Sequence, residues 1–388
     1  MTKHLSASSR PNGKYLIFYL SLLCLPLFLS ACISVKSSNT SNATSASAFF
    51  ISTDFGQTWG AKNKIANVEA ATKTFTNNIT KIALDPQDEK AIYLGTTDSG
   101  IYYTYNYGAS WENTLPYSGT VNDLFVHPKD KCQLYAAIHN KILKSEDCAR
   151  TWTDLYFEPR AGQYISSLAI NYQNPEIIFA GTKEGALLRS VDKGLSWSVY
   201  HRFDSKISEI LIMNHSDSNI MYVALESQGV WRSMDAGANW EDVMPLPLYQ
   251  LENVTENDKT FTRAVITDDK KLMSKVSGVK ILSDVTVDLT TKDNLLYANK
   301  IGIFRFTGDH WEQYKLLTSK NKASIYSVTV NPLNGQEIYY GTNNAFYFTK
   351  DGGANWQNKA LPTTKIAKEL EFSPNSKYLY LGTYVIEQ

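Results

Sequence analysis

The chain is poor in the residues that most often build a reactive centre. Its 388 residues include only four Cys and six His. His127, His139, His201, His215 and His310 show no metal-ligand spacing, so a zinc or iron site is not expected. No Cys-x-x-Cys redox pair occurs, nor a phosphate-cradling Gly-x-x-x-x-Gly-Lys or Gly-x-Gly-x-x-Gly loop, nor a nucleophilic Ser motif. No metal or cofactor is therefore expected. Net charge is absent too: 38 basic residues balance 38 acidic ones. A neutral chain without a basic-aromatic strip argues against nucleic acid as partner. Long apolar runs are also missing. The longest, Tyr15 to Leu29, is short for a membrane-spanning helix, which needs about 20 residues.

Aromatics, by contrast, are plentiful: 24 Tyr, 16 Phe and 8 Trp favour strands and sheet-to-sheet packing. The first residues carry Lys3, Arg10 and Lys14 and no acid, then the apolar run, then Leu29-Ser30-Ala31-Cys32. This order resembles the bacterial lipobox and predicts a lipoprotein signal peptide over 1–31, with acyl chains on Cys32 holding the protein to a cell membrane or outer membrane. An ordinary signal peptide cut nearby, or a short anchor, is the alternative. Residues 32–47, rich in Ser, Thr, Asn and Ala, read as a flexible tether. Cys132 and Cys148 flank two strand-like runs about Asn140 and would face each other in a symmetric hairpin. A disulfide is expected there in an oxidising compartment; two buried thiols are the alternative.

Seven of the Trp recur at one position: Trp59, Trp111, Trp152, Trp197, Trp240, Trp311 and Trp356. Most intervals are roughly 40–50 residues, the length of one four-stranded propeller blade. Ser52 to Trp59 and Ser190 to Trp197 share the pattern Ser-x-Asp-x-Gly-x-Ser/Thr-Trp. Ser145 to Trp152 has Ala149 for Gly, and Ser233 to Trp240 and Thr349 to Trp356 have Asn before the Trp. Thr104 to Trp111 has Asn106 for Asp, and Phe306 to Trp311 is degenerate. Asp accepts backbone N–H groups across such a turn, and Gly takes its left-handed angles. Asp54, Asp147, Asp192, Asp235 and Asp351, with their Trp residues, are thus structural. Two strand-like phrases precede each Trp, giving complete blades at 79–113, 121–154, 165–200, 207–243, 283–314 and 325–358. The start supplies only strands C and D (48–60), and the end only A and B (366–383). Paired, they complete a seventh blade. The expected fold is all-β, a seven-bladed β-propeller over 48–388 with a long loop insertion at 244–282.

These repeats resemble the Asp boxes, or bacterial neuraminidase repeats, of sialidases, sortilin-type receptors, xyloglucanases and the photosystem II assembly and stability factor. The resemblance implies that ligands sit on the face of the B–C and D–A loops, opposite the Asp boxes. That face would hold the insertion, with Tyr249 and Asp268, Asp269, Lys270 and Lys271; the loop arginines Arg160, Arg202 and Arg263; and a ring made by the third residue of each strand A. The ring reads Lys81, Asp123, Ser167, Glu209, Asp284, Ser327 and Lys368. Arg160, Arg202, Arg263, Lys81 and Lys368 are the candidate ligand-binding residues, since guanidinium forks suit carboxylates and other anions. The sialidase signature Arg-x-Pro is absent. Were the chain an enzyme it would be a glycoside hydrolase, with Asp123, Glu209 and Asp284 as its carboxylates. The main expectation is a non-catalytic, membrane-anchored monomeric scaffold for an envelope protein or glycan. The alternative is a carbohydrate-active lipoprotein, hydrolytic or glycan-binding.

Overall fold

The computed structural model describes residues 47–66, 73–116, 118–212, 218–257, 259–266, 271–317 and 324–386. Cys32, the signal segment and nearly all of the expected tether lie outside the described residues, as do Asp268, Asp269 and Lys270. Seven sheets follow one another as propeller blades, six of them four-stranded and antiparallel. Strand A is innermost and strand D outermost. In blade 1 these are Ile79–Leu84, Ile92–Thr96, Ile101–Thr104 and Glu112–Thr114. Strand B is buried throughout in nearly every blade, while D is mostly exposed, as expected of strands that pass from the packed hub to the rim.

Closure of the ring is made by hydrogen bonding between distant parts of the chain. Phe49–Ser52 serves as strand C of blade 7 and pairs antiparallel with Leu379–Tyr384, strand B, in the register Phe50↔Leu381 and Ser52↔Leu379. Gly60–Ala61 adds strand D and Ile366–Phe372 adds strand A.

The repeated turns hold strand C to strand D by one set of bonds. The Asp192 carboxylate accepts from the Ser196 backbone N–H at 2.8 Å and from the Ser190 hydroxyl at 2.7 Å, and the Gly194 N–H donates to Ser190 Oγ at 2.8 Å. The same bonds recur about Asp54, Asp147, Asp235 and Asp351. Lys193 and Gly194 both have positive φ, 61° and 91°, which explains the glycine there. The tryptophans then bridge blades: Trp111 of blade 1 meets Phe49 of blade 7 edge to face at 5.3 Å, and Trp59 meets Phe346 of blade 6 at 5.6 Å. In blade 5 the degenerate turn keeps a buried Trp311, whose indole N–H donates to the Val243 carbonyl at 2.8 Å.

The blades converge towards the axis, and this limits strand B to small residues at one level. Gly95, Gly181, Gly341 and Gly382 lie directly against the first residues of the next blade's strand A. A Cβ on Gly341 would stand 2.4 Å from that of Ala367, and one on Gly181 would stand 2.5 Å from Ile207. Ala137, Ala224 and Ala298 occupy the same place in the other blades.

One expectation changes in detail. Residues 244–282 are not simply a long loop. Leu248–Glu256 and Lys259–Ile266 form a hairpin, and its first strand pairs parallel to Trp311–Gln313, extending blade 5 to six strands at the rim. Asn253 and Thr262 tie the hairpin to the Ala354 and Gly352 carbonyls in the turn of blade 6. Cys132 and Cys148 are joined as a disulfide across the A–B and C–D turns of blade 2. Among the described residues no helix is long and apolar enough to cross a membrane.

Candidate functional site

The channel ring is set by a bulge that recurs in strand A of most blades. In blade 1 the pairing with strand B jumps from Ile79↔Thr96 to Lys81↔Gly95. The same shift occurs at Asp123, Ser167 and Glu209. In blade 7 it falls between Ala367↔Thr383 and Glu369↔Gly382. Glu369, not Lys368, therefore holds the ring position. The sequence reading was one residue out here, because a bulge leaves no mark on the apolar alternation. Lys368 sits beside the ring, its Nζ 3.8 Å from Glu369 Oε1.

Asp123 and Asp284 act as clasps between blades. One oxygen of Asp123 accepts from the next residue's N–H (Leu124, 2.8 Å), and the other from Leu168 N–H in the neighbouring blade (2.7 Å). Asp284 repeats this with Val285 (2.9 Å) and Val328 (2.8 Å). The Ser167 hydroxyl accepts from Ile210 N–H in the same way. Beside the bulges of blades 3 and 4 the Leu168 and Ile210 N–H groups are thus satisfied by the preceding blade, and Asp284 does the same for Val328 in blade 6, which is why these positions are polar. Asp123 and Asp284, two of the three candidate catalytic carboxylates, are engaged in holding blades together.

The remaining ring charges meet across the axis. Lys81 reaches from blade 1 to Glu209 of blade 4 at 3.1 Å and to Asp123 of blade 2 at 3.5 Å. Burial alone would lower the Lys81 pKa, but the Asp123, Glu209 and Glu369 carboxylates hold it well above its usual value. Burial pushes Glu209 up to about 7 against the pull of Lys81, and Glu369 up to about 7 against Lys368 and Lys81. Burial also raises Asp284, and carries Glu371, two residues beyond Glu369, up to about 8. Glu209 and Glu369 nevertheless keep 25% and 21% of their side-chain surface open to the channel. They are groups that can carry a proton at neutral pH and still reach a ligand.

These shifts fix a stability profile. A carboxyl whose folded pKa lies above its unfolded value costs stability as it ionises. The cost is absent below the ordinary 4.5 and is complete once the pH has passed about 7 for Glu209 and Glu369, and about 8 for Glu371. Asp147 and Asp192 work in the opposite sense. Hydrogen bonds from Thr151 and Ser196 hold both down to about 2, so their contribution is present above 3.8 and is lost as pH falls through 2. Thermal unfolding is expected to show maximal stability near pH 4–5, with Tm declining from about pH 5 to about pH 8. Glu369→Gln should flatten that decline, and a flat Tm from pH 5 to 9 would contradict the assignment.

The arginines do not converge on one anion site. Arg160 is bound by Glu158 (2.7 Å) and Glu184 (2.8 Å). Arg202 ends strand D of blade 3, exposed. Arg263 lies on the outer hairpin strand, opposite Glu252 at the rim. Tyr249 packs against His310 in a tilted arrangement, centroids 4.4 Å apart, also at the rim. A cavity of about 370 Å³ lies beneath the Lys81–Glu209 bridge and runs the other way, to Pro86, Tyr172, Pro332 and Pro374 at the A–B turns. This cavity thus lies on the side of the Asp-containing turns, which the sequence marks as structural. Glu369 and Glu371 were missed. A period-two count from the bulged residue would have found Glu371.

No protein-family model matches the chain. In sequence it is 25% identical over 191 residues to a xyloglucanase of a Paenibacillus species, a match covering 44% of this chain and 17% of that protein. In structure it is similar to the GH74 xyloglucanase of Xanthomonas campestris (TM-score 0.58, 16% identity, 79% of this chain and 51% of that one). It is also similar to YCF48 from Cyanidioschyzon merolae (TM-score 0.55, 11% identity, 79% and 95%). The chain thus spans under a fifth of the curated relative it matches and about half of the xyloglucanase structure. The structural likenesses carry the propeller fold. The sequence match corrects the main functional expectation: the relative it reaches is named a xyloglucanase, which favours the carbohydrate-active alternative over the non-catalytic scaffold.

Proposed function

We propose that this chain is a carbohydrate-active propeller that takes a glycan at the channel mouth formed by the B–C and D–A loops. The observation that carries the reading is the sequence match to a xyloglucanase across 191 residues. The chemistry of the mouth supports it. Glycoside cleavage needs a carboxyl that keeps its proton near neutral pH and a second carboxylate. Glu209 suits the first role. Glu369, on the far side of the ring beside Lys368, suits the second. Asp123 and Asp284 are assigned to inter-blade clasps and not to catalysis. The turns about Asp54 and its counterparts belong, on this reading, to the Asp-box type.

We further propose that the propeller works outside the cytoplasm, tethered through lipid on Cys32. The Cys132–Cys148 disulfide fits an oxidising compartment. Loss of fatty-acid labelling in Cys32→Ser tests the anchor; unchanged labelling would remove it.

The glycan reading is tested by incubating the protein with soluble polysaccharides, xyloglucan among them, while measuring both reducing-end release and retardation in glycan-containing native gels. Turnover or retardation with at least one glycan is expected. A folded protein inert towards the whole panel in both measurements would overturn the proposal.

A further inference from the structure

The cavity below the ring is a second feature, separate from the glycan mouth. Its volume of about 370 Å³ lies within the range of small-molecule sites. The Lys81–Asp123–Glu209 cluster forms its roof. Its walls are the next inward-facing residues of the A strands, among them Ala83, Phe125, Ala169 and Leu211, with the hydroxyl-bearing Thr286 and Thr329. Below the roof these walls carry a single acidic side chain, Glu371.

Glu371 is placed unlike the acids above it. Asp123 has two backbone N–H partners and Glu209 has Lys81. The Glu371 side chain has no hydrogen bond or ion pair among the described residues. The charged groups facing it are Lys81, Glu369, Asp284 and Glu209, and the one cation is already shared by Asp123 and Glu209. Lys81, Asp123, Glu209 and Glu371 therefore leave a formal excess of negative charge around a largely apolar space.

An unpaired carboxylate in such surroundings is costly to keep ionised unless a cation enters. A metal ion would need several oxygen ligands, and no group of three or more His, Cys, Asp or Glu suited to a metal occurs among the described residues. An ammonium group on an apolar body needs only one counter-ion and a wall to pack against, which is what the cavity offers.

We propose that the lower channel binds a small organic ammonium ion, entering from the A–B turns, with Glu371 as counter-ion and Phe125, Ala169 and Leu211 packing its body. The burial that raises the Glu371 pKa makes a proton the competitor of this ligand, so binding should strengthen from pH 6 to 9.

The test is isothermal titration of the purified full-length protein with cyclohexylammonium chloride, and with cyclohexanol as a neutral analogue of the same shape. Expected are binding of the ammonium but not the alcohol, at least a tenfold loss in Glu371→Gln, and abolition in Ala169→Phe, which fills the cavity and leaves Glu371 in place. Equal binding of the alcohol, equal binding by Glu371→Gln, or no binding by the folded wild type would overturn the proposal. Should Glu371→Gln fail to fold, Ala169→Phe decides: undiminished binding there refutes the site. Glycan turnover is read separately, so the failure of one reading is not mistaken for failure of the other.

Discussion

Replacing Phe50 by alanine is expected to lower the unfolding free energy by about 3–5 kcal/mol, the usual range for truncating a fully buried aromatic. Phe50 has no exposed surface. It lies in strand C of blade 7, paired with Leu381, and packs in one cluster with Phe346, Phe348, Leu370 and Leu379. That cluster joins blades 6 and 7 and contains residues from both ends of the folded chain. Truncation therefore removes area at the seam on which circular closure depends, and the cavity is walled by strands that cannot collapse inward past the hub. Since domains of this kind are stable by only about 5–15 kcal/mol, the loss is a large fraction of the whole. Phe261→Ala on the rim hairpin is the matched control: that side chain is 40% exposed, and its removal should cost well under half as much. Denaturant unfolding of the two variants checks this. Equal midpoints for Phe50→Ala and Phe261→Ala would mean that the seam contributes no more than the rim.

The seam was legible in sequence because the repeat counts strands. Trp59 with no preceding A and B phrases, and Ile366 to Thr383 with no following turn, define complementary halves. The hairpin at 248–266 was also written in the sequence. Tyr249-Gln250-Leu251 and Phe261-Thr262-Arg263 alternate on either side of Asn257-Asp258, a turn-forming pair. The site was less legible. The identity of a ring residue depends on one inserted backbone position, and the bulge in blade 7 exchanges Lys368 for Glu369, reversing the sign of the charge at that place. What the ring carboxylates do depends on N–H groups of the neighbouring blade, such as Leu168 and Val328, which are about 44 or 45 positions away in sequence. Local pattern does not reveal such tertiary partners. The converging arginines failed for a similar reason: loop order places Arg160, Arg202 and Arg263 in successive connections, but the hairpin carries Arg263 to the rim.

Those same partners decide which carboxyl group should matter to turnover. On a glycan cleaved by the wild type, Glu209→Gln is expected to reduce turnover by about 10²–10⁴-fold, the usual contribution of a positioned proton donor. Glu209 has a pKa of about 7, an opening to the channel, and a single ion-pair partner, so it can exchange a proton with a bound substrate. Asp123 is 3% exposed and spends both oxygens on backbone donors. Asp123→Asn should therefore act chiefly through stability, since one amide-bearing side chain cannot accept both N–H bonds, and the loss of a charged acceptor costs about 1.5–3 kcal/mol. Measured on folded protein, its turnover should fall far less than that of Glu209→Gln. The pH profile separates the roles further. With Glu209 as donor, the alkaline limb of the rate falls through about 7 as its proton is lost. Lys81→Met removes the cation that favours ionised Glu209, so the group should hold its proton more tightly and the limb should move to higher pH. A limb that stays in place in Lys81→Met, or a Glu209→Gln variant with undiminished turnover, would assign the chemistry to another carboxyl group.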